Sequence, residues 1–160
     1  METEKIEIPV RKLRIEELSG EEKQWMDAAV AAAGQAYAPY SGFRVGAVVV
    51  LANGMLVTGN NQENAAYPSG LCAERVALFS ASAHYPDIPV TALALAAVRE
   101  GAVQPYIAPC GACRQVLLET EQRFNYPVRL LLCGCEAVRI VDSAASLLPL
   151  AFGNEGIVGK

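Results

Sequence analysis

The stretch RVGAVVVLANGMLVT, Arg44 to Thr58, decides how this chain folds. Arg44 to Leu51 is a Val-rich apolar run, and Met55 to Thr58 follows it after Ala52-Asn53-Gly54. An Asn-Gly pair supplies the two positive-φ positions that a tight hairpin turn needs, so two antiparallel strands are expected. Upstream, Ser19-Gly20-Glu21-Glu22 opens a helix: Ser19 caps it, acidic residues occupy its first turn, and an Ala-rich stretch carries it to about Gln35. Met1 to Ser19 reads as an extension whose alternating Ile6, Ile8 and Val10 suggest a short strand. Downstream, Asn60 to Leu71 is a polar loop, and Cys72 to Ser82 returns to helical spacing with Val76, Leu78 and Phe79 turned inward. Thr91 to Val98 is a continuous apolar strand, buried on both faces. A loop, Gly101 to Ala108, leads to a helix over Cys110 to Glu121. Two further strands, Val128 to Cys133 and Ala137 to Val141, precede a short helix around Ser143 to Leu148. Strands alternating with helices predict an α/β fold, a three-layer α/β/α sandwich around a five-stranded mixed sheet.

The 160 residues suit one domain with a single core, here an extension over residues 1–19 and one domain over 20–160. A net charge of −4 with no clustered Lys and Arg argues against nucleic acid as a partner. Charged residues are only 19% of the chain and apolar ones 52%, so part of the outside is expected to be covered in an oligomer. Met1 to Glu22 holds no apolar run of a signal peptide, and no apolar stretch is long enough to span a bilayer. A cytoplasmic location away from membranes is therefore expected. Five cysteines, an odd number, read as thiols or metal ligands rather than a disulfide framework. Cys133 and Cys135, two apart on a strand, read as buried thiols.

Cys72-Ala73-Glu74 and Pro109-Cys110-Gly111-Ala112-Cys113 carry the chemistry. A structural zinc site is normally closed by four protein ligands, whereas a catalytic one keeps a position open. Cys72, Cys110 and Cys113 supply three thiolates, each at a helix start where the dipole favours the anion, and Glu74 lies beside them without being a ligand. Three cysteines and a free Glu are the set with which zinc deaminases activate water and move protons. A structural zinc knuckle, or plain buried thiols, is the alternative. Three thiolates on one Zn²⁺ leave the site at −1, which opposes water activation, and the chain's single histidine, His84, does not fit a ligand position. A guanidinium on a ligand sulfur would relieve that charge; Arg75 is the first candidate and Arg114 the second.

With these motifs in place, the chain resembles the cytidine deaminase family, in particular its small, homotetrameric, all-cysteine branch. Tyr37 to Ala47 (YAPYSGFRVGA), Asn61 to Tyr67 (NQENAAY), Cys72 to Arg75 (CAER) and Pro109 to Val116 (PCGACRQV) carry the likeness, which extends from about Glu21 to Phe152. The resemblance implies one Zn²⁺ per subunit on Cys72, Cys110 and Cys113, with Glu74 as the proton shuttle. It also implies that Phe43 packs on the pyrimidine and that Asn61 and Glu63 hold the ribose 3′-hydroxyl. Backbone at Ala65 and Ala73 would read the base edge, with Tyr67 also at the substrate, and Phe152 would reach into a neighbouring subunit's site. By residue type alone, Asn61 reads first as a turn residue and Phe43 as a core aromatic, and their binding roles rest on the resemblance. Departures are the extension, Gln62 where an aliphatic residue is common, and Pro68-Ser69-Gly70-Leu71 before the first ligand.

The function this implies is hydrolytic deamination of free cytidine and 2′-deoxycytidine to the uridines with release of ammonia, a pyrimidine salvage reaction in a homotetramer. The rival is a related deaminase acting on another aminopyrimidine or on a nucleoside antibiotic, and the Asn61-x-Glu63 pair speaks against it. From another class, the chain could be a zinc-stabilised interaction module. A phosphorylated substrate is disfavoured, because Glu63 beside the sugar would repel the phosphate.

Overall fold

The computed structural model describes residues 1–154. A mixed sheet has the strand order β1-β7-β6-β4-β2-β3, with β5 attached to β4. Its strands are β1 Arg11–Arg14, β2 Arg44–Leu51, β3 Leu56–Asn60, β4 Val90–Arg99, β5 Ala102–Val103, β6 Arg129–Cys133 and β7 Ala137–Val141. The helices are α1 Gly20–Gly34, α2 Ala73–His84 and α3 Gly111–Phe124. The β4–β6 pair is parallel and the others are antiparallel. The hairpin forms where Asn53-Gly54 places it: Gly54 has φ +84°. Its N–H reaches Leu51 O at 2.8 Å, while the Asn53 side chain accepts from Met55 N.

Alternation along β2 separates two cores. Val49 and Leu51 join Leu93, Leu95, Leu130 and Leu132 beneath α2 and α3, whereas Val48, Ala94, Leu131 and Ile140 lie beneath Met26 and Ala29 of α1. The expected three layers are therefore present. Ser19 caps α1 as its sequence requires, accepting from Glu22 N at 3.2 Å while the Glu22 carboxylate accepts from Ser19 N at 2.9 Å. Two glycines let helices touch the sheet. A Cβ on Gly46 would fall on the backbone of Ala29 and Ala33 in α1; one on Gly59 would sit 2.5 Å from Ala77 N and 2.6 Å from Ala73 O in α2.

Four expectations are corrected. Among the described residues the sheet has seven strands rather than five, the additions being β5 and β1. In the extension the strand is Arg11–Arg14, not the Ile6–Val10 stretch; it pairs with β7 from Arg11↔Ile140 to Arg14↔Ala137, and Leu13 packs against the α1-side core. Phe79 is exposed rather than inward, because α2 buries a narrow face of Ala73, Ala77, Leu78 and Ala81 that lets it lie close on the sheet. Cys133 is buried, but Cys135 is exposed, because β6 ends at Cys133 and the chain turns there.

Candidate active site

Cys72 and Cys110 are the N-cap residues of α2 and α3, and neither thiol is consumed in capping its helix. Cys113 lies in the first turn of α3 and is buried. Cys72 Sγ and Cys110 Sγ are 3.7 Å apart, and Cys110 Sγ and Cys113 Sγ are 3.5 Å apart. Tetrahedral geometry with Zn–S bonds of about 2.3 Å places sulfurs roughly 3.8 Å apart, so these two pairs fit one zinc ion. All three sulfurs lie within 4.8 Å of one another. Two helix N-termini converge on the cluster, and their partial positive charge favours thiolates there.

Glu74, one residue into α2, is 4% exposed and supplies no member of that cluster. Burial pushes its carboxyl above the usual carboxylate range, against the opposing pull of its own backbone N–H, Cys113 and Arg75. Arg75 donates from Nη2 to Cys72 Sγ at 3.5 Å, and its guanidinium is held still more firmly protonated, first by that contact. Its buried Nε has no hydrogen-bond partner among the described residues. Arg114 serves otherwise: its guanidinium donates to the carbonyls of Pro109 and Leu147 and not to a sulfur. His84 sits at the far end of α2, its Nδ1 2.9 Å from Ser80 O.

A cleft of about 580 Å³ opens over Cys72 and Arg75, with Tyr40, Ser41, Asn61, Glu63 and Tyr67 also in its wall. The structure thus brings Asn61, Glu63 and Tyr67 of the expected substrate residues to one cavity. Phe43, Ala65, Ala73 and Phe152 are not in that wall; Ala73 is fully buried, Phe43 half-buried and Phe152 exposed. The Glu63 carboxylate accepts from Tyr40 N at 2.9 Å, from Ser41 N at 3.2 Å and from the Ser41 hydroxyl. These donors, the Ser41 hydroxyl foremost, hold it below the usual carboxylate range. Asn61 clamps the neighbouring strand start, accepting from Val45 N at 2.8 Å and donating to Phe43 O at 3.0 Å. Its carboxamide therefore already has a backbone task.

Ser41 is the residue that the sequence reading missed. Besides holding Glu63, its Oγ accepts from Phe43 N at 3.0 Å, so it ties the two sides of the cleft wall together. The Ser-Gly step in Tyr40-Ser41-Gly42-Phe43 is a turn signal that points to it. Tyr40 and Tyr67 meet edge to face at the rim, ring centroids 6.3 Å apart.

Residues 19–126 match the family described as cytidine and deoxycytidylate deaminase zinc-binding region. The chain belongs to this deaminase family. Among its relatives, the cytidine deaminase of Sporosarcina psychrophila is 40% identical over 123 residues, covering 77% of this chain and 85% of that protein. The Mycobacterium tuberculosis cytidine deaminase is 42% identical over 133 residues, covering 81% and 87%. The crystal structure of cytidine deaminase from Burkholderia pseudomallei superposes with a TM-score of 0.69 at 43% identity, covering 81% of this chain and 97% of that one. The deaminase-like α/β architecture expected from the motifs is thereby borne out. The matched family region binds zinc, and the Cys72, Cys110 and Cys113 cluster is the group that could hold the ion. No helix among the described residues is long and apolar enough to cross a membrane.

Proposed function

We propose that this protein hydrolytically deaminates free cytidine and 2′-deoxycytidine to uridine and 2′-deoxyuridine, releasing ammonia, as a pyrimidine salvage enzyme. The observation that carries the reading is a buried carboxyl, Glu74, set against a three-thiol cluster at a cleft whose wall holds a second, fixed carboxylate, Glu63. Cys72, Cys110 and Cys113 are the residues that would hold a zinc ion. Zinc, when bound there, supplies a Lewis acid that readies a water for attack at C4 of the base.

Glu74 accepts the proton that this water gives up and delivers it to N3 as the new C–O bond forms. It then carries the C4 hydroxyl proton to the exocyclic amine, so the C–N bond breaks and ammonia leaves. Burial raises the Glu74 carboxyl, and its place beside the thiol cluster is where a group that takes and returns a proton is needed. Arg75 draws electron density from Cys72 and offsets the negative charge that three thiolates impose. Glu63, pre-set by Ser41 and the Tyr40 amide, receives the ribose 3′-hydroxyl, and Asn61 supports it while bracing Phe43, which packs on the pyrimidine. Backbone at Ala65 and Ala73 reads the base edge, with Tyr67 at the rim. Residues 20–160 form the catalytic domain, and the extension over 1–19 adds β1 to the sheet edge.

The same reading makes the protein a cytoplasmic homotetramer in which Phe152 completes a neighbour's site; the exposed Phe79 and Phe152 rings support the assembly. Loss of cytidine absorbance together with ammonia release tests the proposal directly, with cytidine 5′-monophosphate and free cytosine as comparators. Turnover of both nucleosides, with the monophosphate and the base far behind, is expected. Zinc-loaded protein that leaves both nucleosides intact refutes it.

A further inference from the structure

Arg114 follows the third cysteine of the cluster, yet its guanidinium makes two backbone contacts elsewhere. Nε donates to Pro109 O at 2.8 Å and Nη1 to Leu147 O at 2.9 Å. Pro109 O belongs to the peptide immediately before Cys110, so the first contact braces the turn that presents that thiol. Leu147 closes the short 3₁₀ turn Ala144–Leu147 that leads into the C-terminal segment. Helix α3 also grips that segment further along. Glu121 accepts from the Ser143 hydroxyl and from Ala144 N, and Gln115 donates to Phe152 O at 2.9 Å. Arg114 and Glu121, seven residues apart, share one face of α3, and Gln115 adds its contact from the adjoining face, so α3 holds the C-terminal segment at three points.

We infer that Arg114 is a positioning residue that couples the Cys110 turn to the C-terminal segment, so that holding zinc and ordering residues 143–152 reinforce each other. Coupling of this kind is reciprocal: whatever factor the docked segment adds to zinc affinity, zinc adds to the segment's docking. A guanidinium suits the task because its planar fork reaches two carbonyls at once, which an ammonium on a single point cannot do. The inference rests on the reading of Cys110 and Cys113 as ligands.

Arg114→Gln and Arg114→Lys, compared with wild type, test it through two readouts that do not require turnover. Zinc affinity, measured by competition with a chromogenic chelator, falls about 10–100-fold in both variants. Hydrogen exchange at the Ser146 and Leu148 amides, which close the 3₁₀ turn, is slowed by zinc in wild type and indifferent to zinc in the variants. Full recovery by Arg114→Lys would mean that charge alone matters and would overturn the bridge. Tight zinc in wild type with identical affinity and exchange in Arg114→Gln overturns the coupling but leaves the proposed function standing. Wild-type protein that takes up no zinc overturns both.

Discussion

Gly59→Ala tests whether the sheet itself sets the geometry of the metal site. Gly59 lies in β3 directly under α2, and an added Cβ would meet Ala77 N at 2.5 Å and Ala73 O at 2.6 Å. Ordinary contact begins at 3.4 Å, so α2 must withdraw by about 0.8–0.9 Å, and both obstacles are backbone atoms that no rotamer change can clear. Ala73 stands between Cys72 and Glu74, so the withdrawal carries both residues away from Cys110 and Cys113, which ride on α3. Metal–ligand distances tolerate about ±0.2 Å, and a misplacement near 1 Å can cost about 10²-fold in rate. Overpacking should also cost roughly 1–3 kcal/mol of stability, a fall of about 2–12 °C in Tm for a chain of this size. Zinc content, deamination rate and thermal melting of the variant are measured beside Gly20→Ala, whose added methyl meets nothing within 4 Å. The expected result is lost zinc, a rate at least about tenfold lower and a lower Tm for Gly59→Ala alone. A Gly59→Ala protein with wild-type zinc, rate and melting would refute the claim that α2 is seated by this contact.

Arg75→Gln should keep stoichiometric zinc yet turn over about 10–100-fold more slowly, since it removes the cation on Cys72 and no ligand; unchanged turnover would make Arg75 a bystander. Ser41→Ala frees the Glu63 carboxylate from its hydroxyl donor, so KM for cytidine should rise about 5–20-fold with kcat little changed, and Ser41→Thr should rescue it. Glu22 probes stability. Burial raises its carboxyl, but the Ser19 N–H and Arg129 at 2.6 Å outweigh that and leave it lowered. A lowered folded value contributes stability above the unfolded value of about 4.3 and loses it as pH falls further. Glu22→Gln should therefore lose about 1–2 kcal/mol at pH 7, with the gap to wild type narrowing below about pH 4 in pH-resolved melts; a gap that is constant with pH would deny the ion pair its role.

The parts of the fold that were legible are those in which one local pattern fixes one element. Asn53-Gly54 sets the hairpin, the apolar run from Thr91 sets a strand buried on both faces, and Ser19 with Glu22 starts α1. β1 escaped because Arg-Lys-Leu-Arg has no apolar alternation; it is a strand only because β7 offers it a partner. Phe79 misled because helical periodicity counts side chains by polarity, whereas close packing on Gly59 selects them by size and leaves the ring outside. The cysteines, Glu74 and Arg75 were legible because helix starts and i, i+3 spacing place them regardless of the rest. Ser41 showed locally only as a turn residue, and the roles of Ser41 and Arg114 were not legible because they depend on partners 22 and 33 residues away.

Glu74→Gln tests the central claim most directly, because it changes the proton-carrying group and leaves the three thiols alone. Zinc per chain by elemental analysis and cytidine turnover by absorbance are measured on the same preparation. Undiminished zinc with turnover lowered by about 10⁴-fold or more is the predicted result, since two proton transfers depend on this one carboxyl. A fully zinc-loaded Glu74→Gln protein that keeps more than about a tenth of wild-type turnover would contradict it.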